Sequence, residues 1–416
     1  MDRVVTPWIE RTRQQSLAWL VFFVIVVDLI GFGIVIPILP FLSPQLGGTT
    51  DDIAFILATY SVAAAIVAPI WGRLSDRFGR RFILGLCLFG GAISHFVLAV
   101  ADALWLVYLS RAVAGMMAGG VPVATALIAD ASTPDQRSRA MGLIGRAFGI
   151  GLILGPVIGG VLARSETDFA LPCLVAGALS SLAGALAWLL LPAGGAQSAP
   201  EEADSDVASD GTDANTIQPP QRWLFIAQFG FHTCAVSAAV YLFPLWMAHD
   251  LSWQAREVGL FFGLVGLVMV LTQGNLLGRM TDRFGPLQVL RGAALCFSLS
   301  LALSSAASGE WLMGALGLMV FSAATLCLPV LNTIASHMVG PAARGRFFGI
   351  TASSAALGRI VGPLIAAVLL SEGGFSTAWL GTSAVVLMVV LWAFTLGRQL
   401  PATLSEASGP PQGVSH

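Results

Sequence analysis

Apolar stretches of roughly 20 residues alternate with short, polar, arginine-bearing breaks along almost the whole chain. A run of that length is what an α-helix needs to cross the ~30 Å hydrocarbon core of a bilayer. Twelve such runs can be counted, over about 17–41, 53–72, 82–101, 104–129, 139–163, 169–191, 223–248, 256–278, 287–307, 311–338, 345–370 and 376–397. The pattern predicts an all-α membrane protein with twelve spanning helices. One long polar connection interrupts it at 192–222, where Glu201, Glu202, Asp204, Asp206, Asp210 and Asp213 lie among Ala, Ser, Gly and Pro. That composition reads as a disordered acidic linker, a solvated tether more than a docking segment. The tail 401–416 reads as disordered too. The expected domains are therefore 1–191 and 223–400, joined by the linker.

Composition agrees: 56% of residues are hydrophobic and 11% charged, more apolar surface than a soluble domain could cover. The chain has no lysine, and its 21 basic residues are all arginine. Sixteen of these fall in the termini or in the breaks that share a side with them, which predicts both termini in the cytoplasm. The first run lacks a small-residue cleavage site after a short apolar core and reads as a retained signal anchor. A multi-pass protein of the cell membrane (the inner membrane of a Gram-negative bacterium) is expected. The five cysteines all fall in apolar runs without a CxxC pair, so neither a disulfide framework nor a metal site is indicated. Nothing resembles a nucleotide-binding loop, a metal cluster or a nucleophile motif, which speaks against an enzyme. The net charge of −2 singles out no partner, and no nucleic acid is expected.

A nine-residue string occurs twice. Gly72-Arg-Leu-Ser-Asp-Arg-Phe-Gly-Arg80 returns 206 residues later as Gly278-Arg-Met-Thr-Asp-Arg-Phe-Gly-Pro286. At an offset of 207, Pro122, Pro134, Arg137, Arg139, Gly142, Gly151, Gly155 and Pro156 match Pro329, Pro341, Arg344, Arg346, Gly349, Gly358, Gly362 and Pro363. Charged and proline positions hold one offset, so the matches reflect duplication rather than shared apolar composition. Two homologous six-helix bundles follow.

On these residues the chain resembles the major facilitator superfamily, in the drug:proton antiporter group with twelve helices. Gly72–Arg81 matches the loop motif between helices two and three without a gap. Asp28-Leu-Ile-Gly-Phe-Gly-Ile-Val-Ile-Pro37-Ile-Leu-Pro40 is similar to the first-helix motif of tetracycline exporters. Tyr108-Leu-Ser-Arg111-Ala-Val-Ala-Gly115 matches the fourth-helix arginine motif. Gly142, Gly151, Gly155, Pro156, Gly159 and Gly160 carry the fifth-helix antiporter motif. The resemblance covers residues 17–397. It implies a secondary transporter in which two bundles rock about a central site, driven by a proton gradient rather than a bound cofactor. It also implies export of small amphipathic compounds by a protein that works as a monomer.

Physical roles follow for the motif residues. Asp28 lies about 16 Å along the first run, where a charged, unpaired carboxylate is costly. It should face a cavity or carry a proton. Arg111, within the fourth run, is expected to couple with it, while a structural arginine bonded to carbonyls is the plainer alternative. Gly72, Asp76, Arg77, Gly79, Arg80 and Asp130 form the expected gating latch, with Asp282 and Arg283 in a weaker second copy because Pro286 replaces Arg80. In the family, the Asp76 carboxylate meets the N-terminus of helix eleven. The fifth-helix glycines should admit close helix packing. His95, Arg146, Gln228, His232, Tyr241, Gln273, Asn332 and Arg359 are candidates to line a substrate cavity. Arg146 there would favour an anionic or zwitterionic substrate, and any single histidine is more often a satisfied packing residue than a ligand.

Compared with tetracycline exporters, Ser94 replaces a third-helix acid, Met269 an eighth-helix histidine and Cys296 a ninth-helix acid. A metal-chelated cationic tetracycline is therefore not the expected cargo. Two other readings stay open: proton-coupled uptake of a metabolite, which the fifth-helix motif disfavours, and a non-transporting sensor or assembly factor on the same fold.

Overall fold

The computed structural model describes residues 2–131, 134–163, 169–191, 219–339 and 341–396. Most of the acidic linker and all of the tail 401–416 lie outside the described residues. Every described segment is helical or a short turn, and no strand occurs among the described residues.

In chain order the helices are α1 (Asp2–Val35), α2 (Leu39–Gln45), α3 (Thr50–Phe78), α4 (Arg80–Ala99), α5 (Leu104–Met116), α6 (Gly120–Ala131), α7 (Pro134–Leu162), α8 (Ala170–Leu190), α9 (Pro219–Leu251) and α10 (Ala255–Leu271). A π-helical turn, Thr272–Leu276, leads into α11 (Leu277–Phe284). Then come α12 (Pro286–Ser304), α13 (Glu310–Met338) and α14 (Pro341–Leu396).

The apolar runs read from the sequence fall on these helices. Eight described helices are by themselves long and apolar enough to cross a membrane, and α1 with α2 makes nine if that bent pair is one span. The difference from twelve has physical causes. The Thr272–Leu276 π turn splits the eighth run. The side chains of α7 before Arg146 lie largely outside the described residues. Finally, α14 carries two runs in one continuous element. At 1.5 Å per residue its 50-residue, predominantly apolar stretch Arg346–Thr395 would reach about 75 Å, more than two bilayer cores. Gly374, with φ 69° and ψ −171°, breaks the line there, in a backbone region that glycine enters without a Cβ clash.

Helix ends follow local chemistry. Thr49 caps α3: its hydroxyl accepts from the Asp52 amide, and the Asp52 carboxylate accepts from the Thr49 amide at 2.8 Å. The Tyr108 hydroxyl on α5 donates to the same carboxylate at 2.8 Å. The α1–α2 break spans Ile36–Ile38 and bends the pair by 45°, where Pro37 cannot donate a helical hydrogen bond.

The described chain forms two compact units. One comprises Met1–Val207 with Trp253–Gly266, the other Ala208–Ser252 with Leu267–His416. In the first, α1 packs on α7 and α8, α3 on α5, and α4 on α8 and α5. In the second, α9 packs on α14, and α12 lies against α13 and α14. Its core centres on Phe225, Leu290, Phe297 and Leu331, with Phe225 stacked on Phe347 and Trp392.

Candidate functional site

Asp28 sits on the inward side of α1, half-buried. It faces the start of α6, so closely that a Cβ at Gly120 would lie 3.2 Å from Asp28 Oδ2. The Cys87 thiol on α4 is within electrostatic reach. Next to them the Trp71 indole is pinned by a 2.7 Å hydrogen bond from its N–H to the Met116 carbonyl. Among the described residues Asp28 joins no ion pair. The glycine pair Gly119-Gly120 at the α5–α6 turn is what makes room here: a Cβ on Gly119 would meet Trp71 at 2.7 Å and the Cys87 sulfur at 2.8 Å.

Arg111 is buried, 3% exposed, in a different polar cluster. Its guanidinium donates to the Ser110 hydroxyl at 3.1 and 3.2 Å and to the Ser94 hydroxyl at 3.4 Å. His95 is near enough to feel its charge, and a Cβ on Gly31 of α1 would come within 3.5 Å of His95 Nε2 and 3.0 Å of the Ser180 hydroxyl. The His95 Nδ1 and Ser180 Oγ atoms are buried without a hydrogen-bond partner. Hydroxyls, not a carboxylate, therefore hold the arginine among the described residues. In this conformation Asp28 and Arg111 are not joined by an ion pair, and Gly31 places His95 one helical turn along α1 from Asp28.

Ser94, Ser110 and Ser180 were not legible as site residues, although Ser94 stands out as a departure from the related exporters. Trp71, Cys87 and Gly119 were missed for another reason: their role comes from packing around Asp28, which no periodicity reveals.

The loop string takes up a turn between two helices. Gly79 (φ 92°) ends α3 and starts α4, and Gly285 (φ 76°) does the same for α11 and α12. Asp76 pairs with Arg80 at 2.8 Å, and Arg80 also donates to the Ser75 hydroxyl at 2.6 Å. The Asp76 carboxylate is 62% exposed. Arg77 lies over Phe78 at 5.4 Å, and Arg283 over Phe284 at the same distance. Asp282 is exposed, and Pro286 in place of Arg80 leaves no counterpart of the first ion pair. Gly72 has open space beside it. The side chain of Asp130, on α6, lies outside the described residues.

The fifth-helix glycines form a seam. A Cβ on Gly155 would stand 2.6 Å from the Gly33 Cα on α1, and one on Gly151 or Gly159 would strike Leu29 or Ile34 of the same helix. The opposite side of α7 takes the start of α10, where Gly160 meets Ala255 and Arg256, and Gly259, Gly263 and Gly266 meet Pro156, Val157 and Ile153. The helix runs on through Pro156 to Leu162. The second unit repeats the first of these contacts: Gly358 and Gly362 of α14 rest against Gly230 and Cys234 of α9. The surroundings of Gly142 lie outside the described residues.

The remaining candidates divide by burial. Gln228, His232 and Tyr241 on α9 are buried, as is His95. Gln228 donates to the Leu224 carbonyl at 2.7 Å with its own carbonyl oxygen unpartnered, and His232 packs edge-on against Phe297. Gln273, in the π turn, donates to the Thr325 carbonyl at 3.3 Å. Gln273, Asn332, Arg146 and Arg359 are exposed within their units.

Known proteins place the chain. The Major Facilitator Superfamily model matches residues 21–272 and 224–416. The chain is 29% identical over 353 residues to a class E tetracycline resistance protein of Escherichia coli, covering 84% of this chain and 86% of that protein. It is 28% identical over 356 residues to the quinolone resistance protein NorA of Staphylococcus aureus, covering 84% and 89%. Among solved structures, the human organic anion transporter MFSD10 superposes with a TM-score of 0.70 at 22% identity, covering 91% of this chain and 99% of that one. The nucleoside transporter NupG superposes with a TM-score of 0.71 at 13% identity, covering 92% and 100%. With its repeated loop string, glycine seams and membrane-length helices, the chain is a multi-pass membrane transporter, not an enzyme, and belongs to the Major Facilitator Superfamily.

Proposed function

We propose that the protein exports small amphipathic compounds in exchange for protons, by alternating access of two homologous six-helix halves tethered by the acidic linker. The observation that carries this reading is Asp28. It is the one acid within the apolar runs away from their ends, it is half-buried, and among the described residues it has no counter-charge. A carboxyl in that setting is stable when protonated and becomes costly on ionisation unless water, substrate or a cation reaches it. Loading and unloading a proton there would couple the gradient to substrate movement. Arg111 supports the reading as a buried cation held by hydroxyls that a new carboxylate could outcompete. The tetracycline and quinolone resistance proteins among its relatives favour export, and the glycine seam of α7 suits a tight outer closure.

Energy would come from the proton gradient without a cofactor. Both termini would lie in the cytoplasm, and a monomer in the cell membrane would suffice. Ser94, Met269 and Cys296 speak against chelated tetracycline as cargo, and the arginines Arg111, Arg146 and Arg359 favour neutral, zwitterionic or anionic compounds.

The test is proton release from acid-loaded everted vesicles, evoked by a panel of cationic, neutral and zwitterionic drugs. Drug-evoked release by at least one panel member supports antiport and gives the charge class. Silence across the panel, with protein verified in the membrane, would overturn export of such compounds.

A further inference from the structure

The two copies of the repeat do not keep one register between α3 and its counterpart, α10 with α11. Both helices open with the same cap: the Thr49 amide donates to the Asp52 carboxylate, and the Gln254 amide donates to the Glu257 carboxylate at 3.0 Å. Gln254 and Glu257 stand 205 residues after Thr49 and Asp52, whereas the loop strings at the other end of the same helices stand 206 apart. Burial follows the caps at first: Ile53 and Val258 are buried, Phe55 and Leu260 exposed, Ile56 and Phe261 buried. Near the loop it follows the strings, with Gly72 and Gly278 exposed and Gly79 and Gly285 buried. The second copy therefore holds one extra residue between Phe261 and Gly278.

That residue is taken up by the Thr272–Leu276 π turn. α3 runs as one α-helix from Thr50 to Phe78, with Pro69 in its interior, and shows no such turn. A single wide turn absorbs an added residue while the helix on either side keeps its face. The Leu277 amide bonds the Thr272 carbonyl across it, and the Thr272 hydroxyl donates to the carbonyls of Val268 and Met269. Hydroxyls and wide turns of this kind keep backbone groups satisfied at a break in a spanning helix. The break also falls close to where the chain passes from one compact unit to the other, at Gly266–Leu267. Before it, Gly259, Gly263 and Gly266 present one face of α10 to Pro156, Val157 and Ile153 of α7, where a Cβ on Gly266 would come within 2.7 Å of Ile153. Beyond it, Gln273 donates to the Thr325 carbonyl of α13 at 3.3 Å, and α11 packs on α12. α3, which has no inserted residue, lies wholly in the first unit.

We propose that the inserted residue makes the Thr272–Leu276 turn a joint, about which the α7-bound part of α10 and the α13-bound segment leading into α11 tilt independently. A continuous α-helix fixed by close contacts at one end and by a side-chain hydrogen bond at the other would resist such tilting, and a wide turn absorbs it. The joint is a property of this helix. Its use during transport rests on the alternating access proposed above.

Hydrogen exchange of the full-length protein in nanodiscs, read by mass spectrometry, tests the joint. Amides of the π turn should exchange about ten-fold faster than those of α12 and of α10 up to Gly266. Deleting Gly274 restores the spacing of the first copy and leaves the faces on both sides in register. The variant should melt at or above the wild-type temperature, because a poor helix former is gone. It should lose the fast exchange, and its turnover of a compound that evokes proton release in the wild type should fall about ten-fold. Deleting Asn275 removes the extra residue one position along and carries the test if the first variant does not fold. Exchange at the wild-type π turn as slow as in α12 would overturn the proposal without any variant. So would full turnover by a deletion variant whose fast exchange is gone. A wild type that moves no compound would remove the export reading and leave the exchange result to decide the joint, so the two fail separately.

Discussion

Around Trp71 the helices of the first unit close on an indole, whereas those of the second leave a cavity of about 560 Å³ between α10, α11, α12 and α13. The backbone of the two corners is nonetheless alike. Each turns on a positive-φ glycine, Gly79 or Gly285, and each carries an arginine over the preceding helix-end phenylalanine ring. Further along the chain, Gly151 and Gly155 meet α1 as Gly358 and Gly362 meet α9. At these turns and contacts duplication has kept the glycine, although Gly159, which meets Ile34, is Ala366 in the second copy. It has kept the loop charges Asp76 and Arg77 as Asp282 and Arg283, but not the buried Arg111, which is Leu318, nor Trp71, which is Leu277. A positive-φ turn favours glycine, whereas a volume can be filled or left empty by different side chains. Asp28 and the buried Arg111 both lie in the first unit, and the second carries Leu318 at the Arg111 position.

The largest expected effect comes from making the first corner resemble the second. Trp71→Ala removes the indole and its hydrogen bond and should cost about 3–5 kcal/mol, read as a lower melting temperature in a fixed detergent. An unchanged melting temperature would mean that the corner is not packed as described. Next is Gly155→Val, which has no room beside Gly33 and should cost about 1–3 kcal/mol or more by overpacking. Gly349→Ala, on the second unit's copy of that motif, has nothing within 4 Å of its added methyl. It should be neutral or stabilising by up to about 1 kcal/mol through helix propensity. Equal losses at both would break the argument from close approach.

The smallest stability effect belongs to the loop. Asp76→Asn breaks an exposed ion pair worth about 1 kcal/mol or less, so melting should barely move. Turnover should nevertheless slow if the carboxylate is a latch. Asp282→Asn, facing Pro286 instead of an arginine, should leave turnover unaffected. Equal slowing in both would remove the asymmetry between the two loops.

Much of this was legible in the chain. The apolar runs located the helices, the arginine bias suggested an orientation, and the repeated string revealed the duplication. Gly151, Gly155 and Gly159 were read as close-packing positions, and their partner α1 is what the structure adds. Burial at the site was not legible. His95 and Gln228 lie inside while Gln273 and Asn332 lie outside, although all four are polar residues in apolar runs. Which face of a helix points inward depends on its neighbours, and the period of one amphipathic stripe is lost when the helix is apolar all round. Asp28 and Arg111, expected to couple, occupy separate polar surroundings here, because the Gly119-Gly120 turn draws the aspartate toward α6 and Ser94 holds the arginine near α4.

The most direct test of the account is transport by Asp28→Asn in proteoliposomes with an imposed pH gradient, measured beside substrate exchange with no gradient. The account predicts that gradient-driven accumulation is lost while exchange persists, since the variant still binds and alternates but carries no proton. Accumulation at the wild-type level would contradict it and remove Asp28 from the coupling.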